Sequence, residues 1–252
     1  MQETGTRINK YMSQCGYCSR READRLIEKG EVWINGTLAT MGTKVMPGDT
    51  VMVHHTTITP CQKEYLLAFH KPAGIVCTTS KIDKNNVIDY LNFPERIYPV
   101  GRLDKDSEGL LIMTNDGDLI NGMMRARFSH EKEYKVTVNK EITPEFIEKM
   151  SRGVHIRDRE KNLDAVTRPC KVRKNGKYTF SIILTQGLNR QIRRMCEALG
   201  YKVTTLKRIR IMNVELGNLK PGEVRGLTEQ ELKELYGTVK ERENERTGQP
   251  SE

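Results

Sequence analysis

The sequence predicts an α+β protein with a small N-terminal domain of two helices and a β-hairpin, followed by a larger domain in which helices flank a mixed, largely antiparallel sheet. The chain has 252 residues, which suits one to two domains of ordinary size. Helical periodicity and a hairpin signal fill the first sixty residues, and strand and helix patterns then alternate without a regular βαβ repeat. That alternation favours α+β over a doubly wound sheet. We expect domains at residues 1–60 and 64–240.

Two helices are predicted near the N-terminus. Residues 7–16 carry apolar side chains three to four positions apart, as on one face of an amphipathic helix. The second helix begins at Ser19, which forms a capping box with Glu22 three residues later, and it ends at Gly30.

A small hairpin sheet is predicted after the helices. Residues 32–34 form a strand, and Asn35-Gly36 is the strongest short hairpin signal. The last strand of this domain is predicted at residues 50–53. Residues 54–63 show no periodicity and contain Pro60, so we interpret them as the linker between the domains.

The second domain is predicted to contain five strands and five helices. The strands are expected at residues 65–69, 109–114, 133–138, 178–184 and 203–215. The helices are expected at residues 87–92, 116–126, 143–151, 188–199 and 228–240. Residues 241–252 are charged and lack apolar side chains, which predicts a disordered tail.

The composition argues against membrane-spanning, secreted and metal-binding proteins. No apolar run approaches the ~18 to 20 residues of a membrane helix, and the N-terminus lacks the apolar core of a secretory signal, so we expect a cytoplasmic protein. Of the six cysteines, only Cys15 and Cys18 lie close in sequence. A zinc site would need a second pair or suitably placed histidines. We therefore expect no metal and no cofactor, and interpret the cysteines as small core residues.

Basic residues are concentrated in one part of the chain. The segment from Arg168 to Arg210 contains twelve basic residues and one acid, Glu197, whereas the whole chain has a net charge of +9. A field this concentrated predicts a polyanionic partner. A solvated basic surface without a partner is the alternative that charge alone leaves open.

Five cations lie around the two N-terminal helix starts, namely Arg25 and the four candidate RNA contacts Arg7, Lys10, Arg20 and Arg21. Helix N-termini and guanidinium groups both suit phosphate oxygens, so we expect these residues to contact RNA or another polyanion. The surrounding pattern, RINKYMSQCGYCSRREADRLIEKGEVWING, resembles the RNA-binding module shared by a small-subunit ribosomal protein and bacterial tyrosyl-tRNA synthetases.

A charged loop between two apolar segments of the second domain is the best candidate for a reactive site. The sequence of this loop and its flanks, YPVGRLDKDSEGLLIMTNDGDL, resembles the catalytic motif of RNA pseudouridine synthases, in the branch that modifies ribosomal RNA. The blocks HEKEYKV and LTQGLNRQIRRM follow in the order of that family. The details look closest to the subgroup that acts on 23S ribosomal RNA.

The resemblance implies specific roles for four residues. Asp104 falls on the essential aspartate, which would act at the anomeric carbon of the target uridine. Arg193 would pair with Asp104 and keep it ionised. Tyr134 would lie against the uracil, and Arg102 would fill the space left by the flipped nucleotide. From position alone, Tyr134 could equally be a packed strand residue and Arg193 one more phosphate contact.

The resemblance also implies the partner. Three further arginines are expected to contact ribosomal RNA: Arg190, Arg194 and Arg208. Because Arg190 and Arg194 are four residues apart, we expect them to share a helix face. A tRNA is a second candidate substrate. We also expect a monomer, because a basic RNA-binding cleft suits a single chain.

Two other functions compete with the isomerase. A non-catalytic RNA-binding factor for ribosome assembly would share the charge pattern, but it would not need the set of Asp104, Tyr134 and Arg193. A nucleoside hydrolase generally needs two carboxylates, and only Asp104 and Asp106 stand close together in the candidate loop.

Overall fold

The computed structural model describes residues 5–61, 63–80, 82–125 and 130–237. The chain forms two compact units, and residues 94–97 and 115–117 join the N-terminal segment in the first of them. No helix in the described residues is long and apolar enough to cross a membrane. The expected tail at 241–252 lies outside the described residues.

The described residues of the first unit form two helices and six short strands. Its elements are β1 (Thr6–Arg7), α1 (Ile8–Gln14), α2 (Arg20–Glu28), β2 (Val32–Ile34), β3 (Thr37–Leu38), β4 (Lys44–Val45), β5 (Val51–Val53) and β6 (Thr56–Ile58). Strands β3, β2, β5 and β6 form an antiparallel sheet, and β1 pairs with β4. The cap on α2 is as predicted, since the Ser19 hydroxyl accepts a hydrogen bond from the Glu22 amide at 3.2 Å.

Burial raises the pKa of both Cys15 and Cys18 to about 11, so these thiols are protonated at neutral pH.

The predicted linker at 54–63 is too long. Residues 56–58 form β6, which pairs with β5 through a two-residue turn at His54 and His55. The sequence gives no hairpin signal here because this turn lacks the usual Asn-Gly pair and β6 is polar.

In the part of the second unit that the structure describes, the chain forms a nine-stranded sheet, a separate hairpin and flanking helices. The strands are β7 (Leu66–Lys71), β8 (Tyr98–Val100), β9 (Glu108–Thr114), β10 (Lys132–Val138), β11 (His155–Asp158), β12 (Leu163–Val166), β13 (Lys171–Lys174), β14 (Thr179–Leu184), β15 (Val203–Ile211), β16 (Val214–Glu215) and β17 (Val224–Gly226). The helices are α3 (Val87–Leu91), α4 (Gly117–Arg125), α5 (Pro144–Arg152), α6 (Gln191–Ala198) and α7 (229–237).

The sheet order is β13-β14-β10-β15-β9-β7-β17, with β8 on β9 and β16 on β15. Only β15 and β9 run parallel among these described pairs, so the predicted α+β class with a largely antiparallel sheet is confirmed. Helices α5 and α6 pack on β10, β14 and β15 around a core that includes Phe146, Phe180 and Met195. The sequence missed β8, β11 to β13 and β17 because they are short and lack an apolar alternation.

Gly109 permits the close approach of β9 to β15. Its φ is +114°, and a Cβ atom at this position would lie 2.2 Å from the carbonyl oxygen of Arg208. We expect Gly109→Ala to lower the free energy of unfolding by about 3 kcal/mol or more, because both the backbone strain and the overlap destabilise the folded state. Urea unfolding measures this. The control is Gly226→Ala, where no atom lies within 4 Å of the added methyl group. Equal loss in both variants would contradict the close-approach explanation.

Candidate active site

A pocket of about 430 Å³ lies in the second unit. Five of the predicted site residues line it: Arg102, Asp104, Tyr134, Arg190 and Arg208. Apolar walls are contributed by Leu184 and Leu206, among others. Mostly apolar walls with a few convergent polar groups are typical of a site for a small ring such as a nucleobase. Arg193 and Arg194 are not among the lining residues.

Asp104 lies in the loop between β8 and β9. It is half-buried, and it is the only acid among the described residues that line the pocket. The Leu103 amide donates to the Cys77 Sγ at 3.4 Å. Arg102 is exposed and lies beside Asp104 in the pocket wall, where its side chain is free to meet a nucleic acid.

Lys71, which sequence reasoning missed, holds the backbone of this loop. Its side chain is fully buried at the end of β7, and its ammonium donates to the carbonyl oxygens of Pro72 at 2.7 Å, Ile75 at 2.8 Å and Lys105 at 3.4 Å. Burial lowers the pKa of Lys71. The carbonyl acceptors compensate part of the desolvation of this charge and fix the backbone directly after Asp104. The sequence signal that could have identified Lys71 is a lysine directly before a proline at the end of an apolar strand.

Arg208 holds the loop that carries Asp104 from the side opposite Lys71. It was expected to contact RNA, but the structure buries it. Only 3% of it is exposed. Its Nε donates to the carbonyl oxygen of Leu110 at 2.7 Å and its Nη1 to that of Arg102 at 3.2 Å. Its Nη2 is buried without a hydrogen-bond partner in the described part of the chain. This guanidinium therefore positions the backbone two residues before Asp104.

Arg193 contacts the loop beyond Asp104. Its Nη2 donates to the carbonyl oxygen of Asp106 at 3.0 Å and to the Ser107 hydroxyl at 3.3 Å, and its Nε lies 3.9 Å from the Asp106 carboxylate. The expected ion pair with Asp104 is thus corrected to one with Asp106, because the first turns of α6 face residues 106 and 107. The catalytic role of Arg193 stays a prediction.

Arg190 and Arg194 do not share a helix face, because α6 begins later than predicted. Arg190 is the N-cap residue and adopts a left-handed conformation with φ 50°. It pairs with Asp106, at 2.8 Å. Arg194 lies within α6 and pairs with Asp158, and it also donates to the carbonyl oxygen of Asn189 at 2.9 Å. Arg194 is therefore engaged with protein groups, which weakens the expectation of an RNA contact.

The Arg190 pair predicts a pH effect. The hydrogen bond from Arg190 lowers the pKa of Asp106 below its ordinary 3.8. The stabilisation by this pair is therefore present above the ordinary pKa and is lost as pH falls through the lowered one. We expect Arg190→Gln to raise the pKa of Asp106 and to cost less than about 1 kcal/mol at neutral pH, since the pair is partly exposed. NMR titration of the Asp106 carboxyl measures the pKa. An unchanged value would show that the pair does not persist in solution.

Tyr134 lies in β10, directly opposite Ile182 of β14 and Arg208 of β15. Directly paired residues point to the same sheet face, so Tyr134 and Arg208 are neighbours on one wall of the pocket. Because Tyr134 is only half-buried, part of its side chain remains open to a bound ring.

The N-terminal cations lie in the first unit. Arg7 precedes α1 and Lys10 lies within it, whereas Arg20 and Arg21 form the first turn of α2. The three arginines are exposed and Lys10 is half-buried. Their exposure and position suit phosphate contacts.

Comparison with known proteins identifies relatives over nearly the whole chain. Residues 65–198 match the family described as RNA pseudouridylate synthase, and residues 6–51 match the S4 domain. A dual-specificity RNA pseudouridine synthase, RluF, of Escherichia coli K12 is 51% identical over 96% of this chain and 82% of its own length. Ribosomal large subunit pseudouridine synthase B of Bacillus subtilis is 36% identical over 91% of this chain and 95% of its own. A crystal structure of a pseudouridylate synthase matches with a TM-score of 0.64 at 27% identity, over 91% of this chain and 99% of that one.

Proposed function

Because this chain belongs to the RNA pseudouridine synthase family, and is therefore an isomerase, we propose that its substrate is a uridine in structured ribosomal RNA, in the 23S molecule. The relatives named for RNA and for the large ribosomal subunit support this target. A ribosomal RNA substrate implies a cytoplasmic enzyme. Since the described residues of one chain complete the pocket, we also propose that the enzyme acts as a monomer.

The observation that carries the proposal is the position of Asp104. Its carboxylate lies in the wall of a pocket that is large enough to hold a nucleobase, and three buried or nearly buried cations hold the loop around it through backbone carbonyl oxygens. These cations are Lys71, Arg193 and Arg208. A carboxylate on a preorganised backbone can act on a reacting centre with little reorganisation.

The reaction needs one carboxylate. Breaking the bond between uracil N1 and the anomeric carbon develops positive charge at that carbon, which Asp104 would stabilise or attack. The uracil then turns and rejoins through C5; the C5 proton leaves, with Tyr134 as our candidate acceptor, and N1 gains a proton. The target nucleotide must first be flipped out, which costs a few kcal/mol of stacking. Exposed Arg102 would fill the vacated space.

The alternatives fit the site less well. A hydrolase would need a second carboxylate in the pocket, but Asp106 pairs with Arg190 and is not a lining residue. A non-catalytic clamp would not need an acid in a pocket of this size.

Pseudouridine mapping of ribosomal RNA and tRNA from cells with and without the intact gene tests the proposal. We expect one or a few pseudouridines in 23S RNA to disappear with the gene. Loss confined to tRNA would leave the isomerase intact but contradict the ribosomal target, and no loss in either RNA would contradict the proposed function.

The exposed arginines of α2 give a further prediction. Replacing both Arg20 and Arg21 by Gln should weaken RNA binding and lower the slope of log affinity against log salt by roughly 1.4 to 1.8, because two phosphate contacts disappear. Single-turnover rates at saturating RNA should stay close to wild type. Filter binding at several salt concentrations, combined with single-turnover assays, checks both parts. An unchanged salt slope would show that α2 does not meet phosphates.

A further inference from the structure

A strip of mainly apolar side chains crosses the outward face of the four-stranded sheet in the first unit. Its members lie directly opposite one another on β3, β2, β5 and β6, so they share one face. They are Leu38, Trp33, Met52 and Thr57. Their strand neighbours Val32, Val51 and Val53 are buried in the core on the other face. Leu38 is 51% exposed, and Trp33 and Met52 are only half-buried.

Trp33 is stacked with His55 beside this strip. The two ring centroids are 5.4 Å apart and the planes differ by 23°. His55 is exposed, so the pair presents an aromatic surface that is open to solvent on the histidine side. The outer face of the His55 ring is therefore an exposed aromatic surface that is backed by the Trp33 ring.

The turn that carries His55 is strained. His54 and His55 have φ values of 46° and 63°, so both occupy the left-handed region in the two-residue turn between β5 and β6. A turn of this kind strongly favours Asn-Gly, because Gly adopts positive φ without a steric penalty. His54 lies 3.6 Å from Glu31, whereas the ring of His55 contacts Trp33. The strained backbone therefore places the ring of His55 against Trp33, and backbone strain of this kind tends to occur at functional sites.

We propose that Trp33 and His55, flanked by Leu38 and Met52, form a stacking platform for an unpaired nucleobase of the RNA substrate. The proposal rests on the proposed function, since RNA is the partner. A single row of four side chains is far smaller than the 20 to 30 residues or about 800 Å² that each partner contributes to a stable protein interface. An unpaired base needs only one flat aromatic surface, and aromatic or histidine rings commonly supply it.

Trp33 fluorescence tests the platform directly, because the chain contains a single tryptophan. We expect a hairpin RNA with an unpaired loop to quench this fluorescence, and a fully paired duplex of the same stem to leave it nearly unchanged. Trp33→Leu and His55→Ala should each lower affinity for the hairpin about 5- to 150-fold and affinity for the duplex little. The matched control is Met41→Ala, an exposed side chain of the same unit outside the strip, which should bind both RNAs as wild type does.

A double variant separates folding from binding. Changing His54→Asn together with His55→Gly restores the favoured turn, so Tm should rise by about 2 to 4 °C while hairpin affinity falls. Unchanged hairpin affinity in this variant and in Trp33→Leu would overturn the platform, as would equal quenching by hairpin and duplex. If the wild-type enzyme forms pseudouridine under these conditions, failure concerns the platform alone; if it forms none on any RNA, the proposed function itself fails.

Discussion

Replacing Asp104 by Asn is expected to reduce pseudouridine formation by at least about 10³-fold, because an amide cannot supply the charge that the reacting anomeric carbon requires. RNA affinity should change little. The Asp104 carboxylate forms no hydrogen bond or ion pair with another described residue, so the substitution leaves no protein group without its partner. The measurement is single-turnover pseudouridine formation on a hairpin substrate, with filter binding of the same RNA.

Asp106→Asn is the matched control. This carboxylate lies in the same loop but pairs with Arg190 and Arg193 and does not line the pocket. We expect at most about a tenfold loss of turnover, from a slightly displaced loop. If Asp104→Asn retained wild-type turnover, or if Asp106→Asn were the more damaging change, the assignment of the reactive carboxylate would be wrong.

Arg193→Ala should lower single-turnover rates about 10²-fold while RNA affinity falls only slightly. Its guanidinium holds the carbonyl oxygen of Asp106 and the fully buried Ser107 hydroxyl, and both would lose a donor. A displacement of the loop by about 1 Å is enough for a rate loss of this size. Each unsatisfied buried group also costs about 1–3 kcal/mol, so the variant should be less stable.

Two further variants isolate the role of Arg193. Arg193→Lys should recover only part of the rate, because one ammonium cannot reproduce the geometry of the guanidinium fork. Arg194→Ala should reduce stability by removing the pair with Asp158, yet it should keep turnover within a few-fold of wild type at saturating RNA. Equal rate losses for Arg193→Ala and Arg194→Ala would indicate general destabilisation of α6 rather than positioning of the loop.

The sequence by itself determined the features that depend on local patterns. The capping box at Ser19, the Asn35-Gly36 hairpin and the longer helices follow from spacing and turn chemistry within a few residues. The family follows from sequence motifs that occur in a fixed order along the chain. Asp104 follows from the same motifs as the candidate reactive residue. The hairpin at His54 and His55 was missed because its turn residues carry no local signal.

Only the tertiary structure decided which atoms hold the reactive loop. Lys71 and Lys105 are 34 residues apart, Asp106 and Arg193 are 87 apart, and Arg102 and Arg208 are 106 apart. The motif identified Arg193 but assigned its charge to Asp104, because spacing along the chain does not specify which carbonyl oxygen a long side chain reaches. That choice depends on where α6, β7 and β15 pack against the loop, and a shift of one helical residue moves a side chain by about 100°. Packing therefore makes Arg193 and Arg208 of the basic segment, together with Lys71 outside it, supports of the loop backbone.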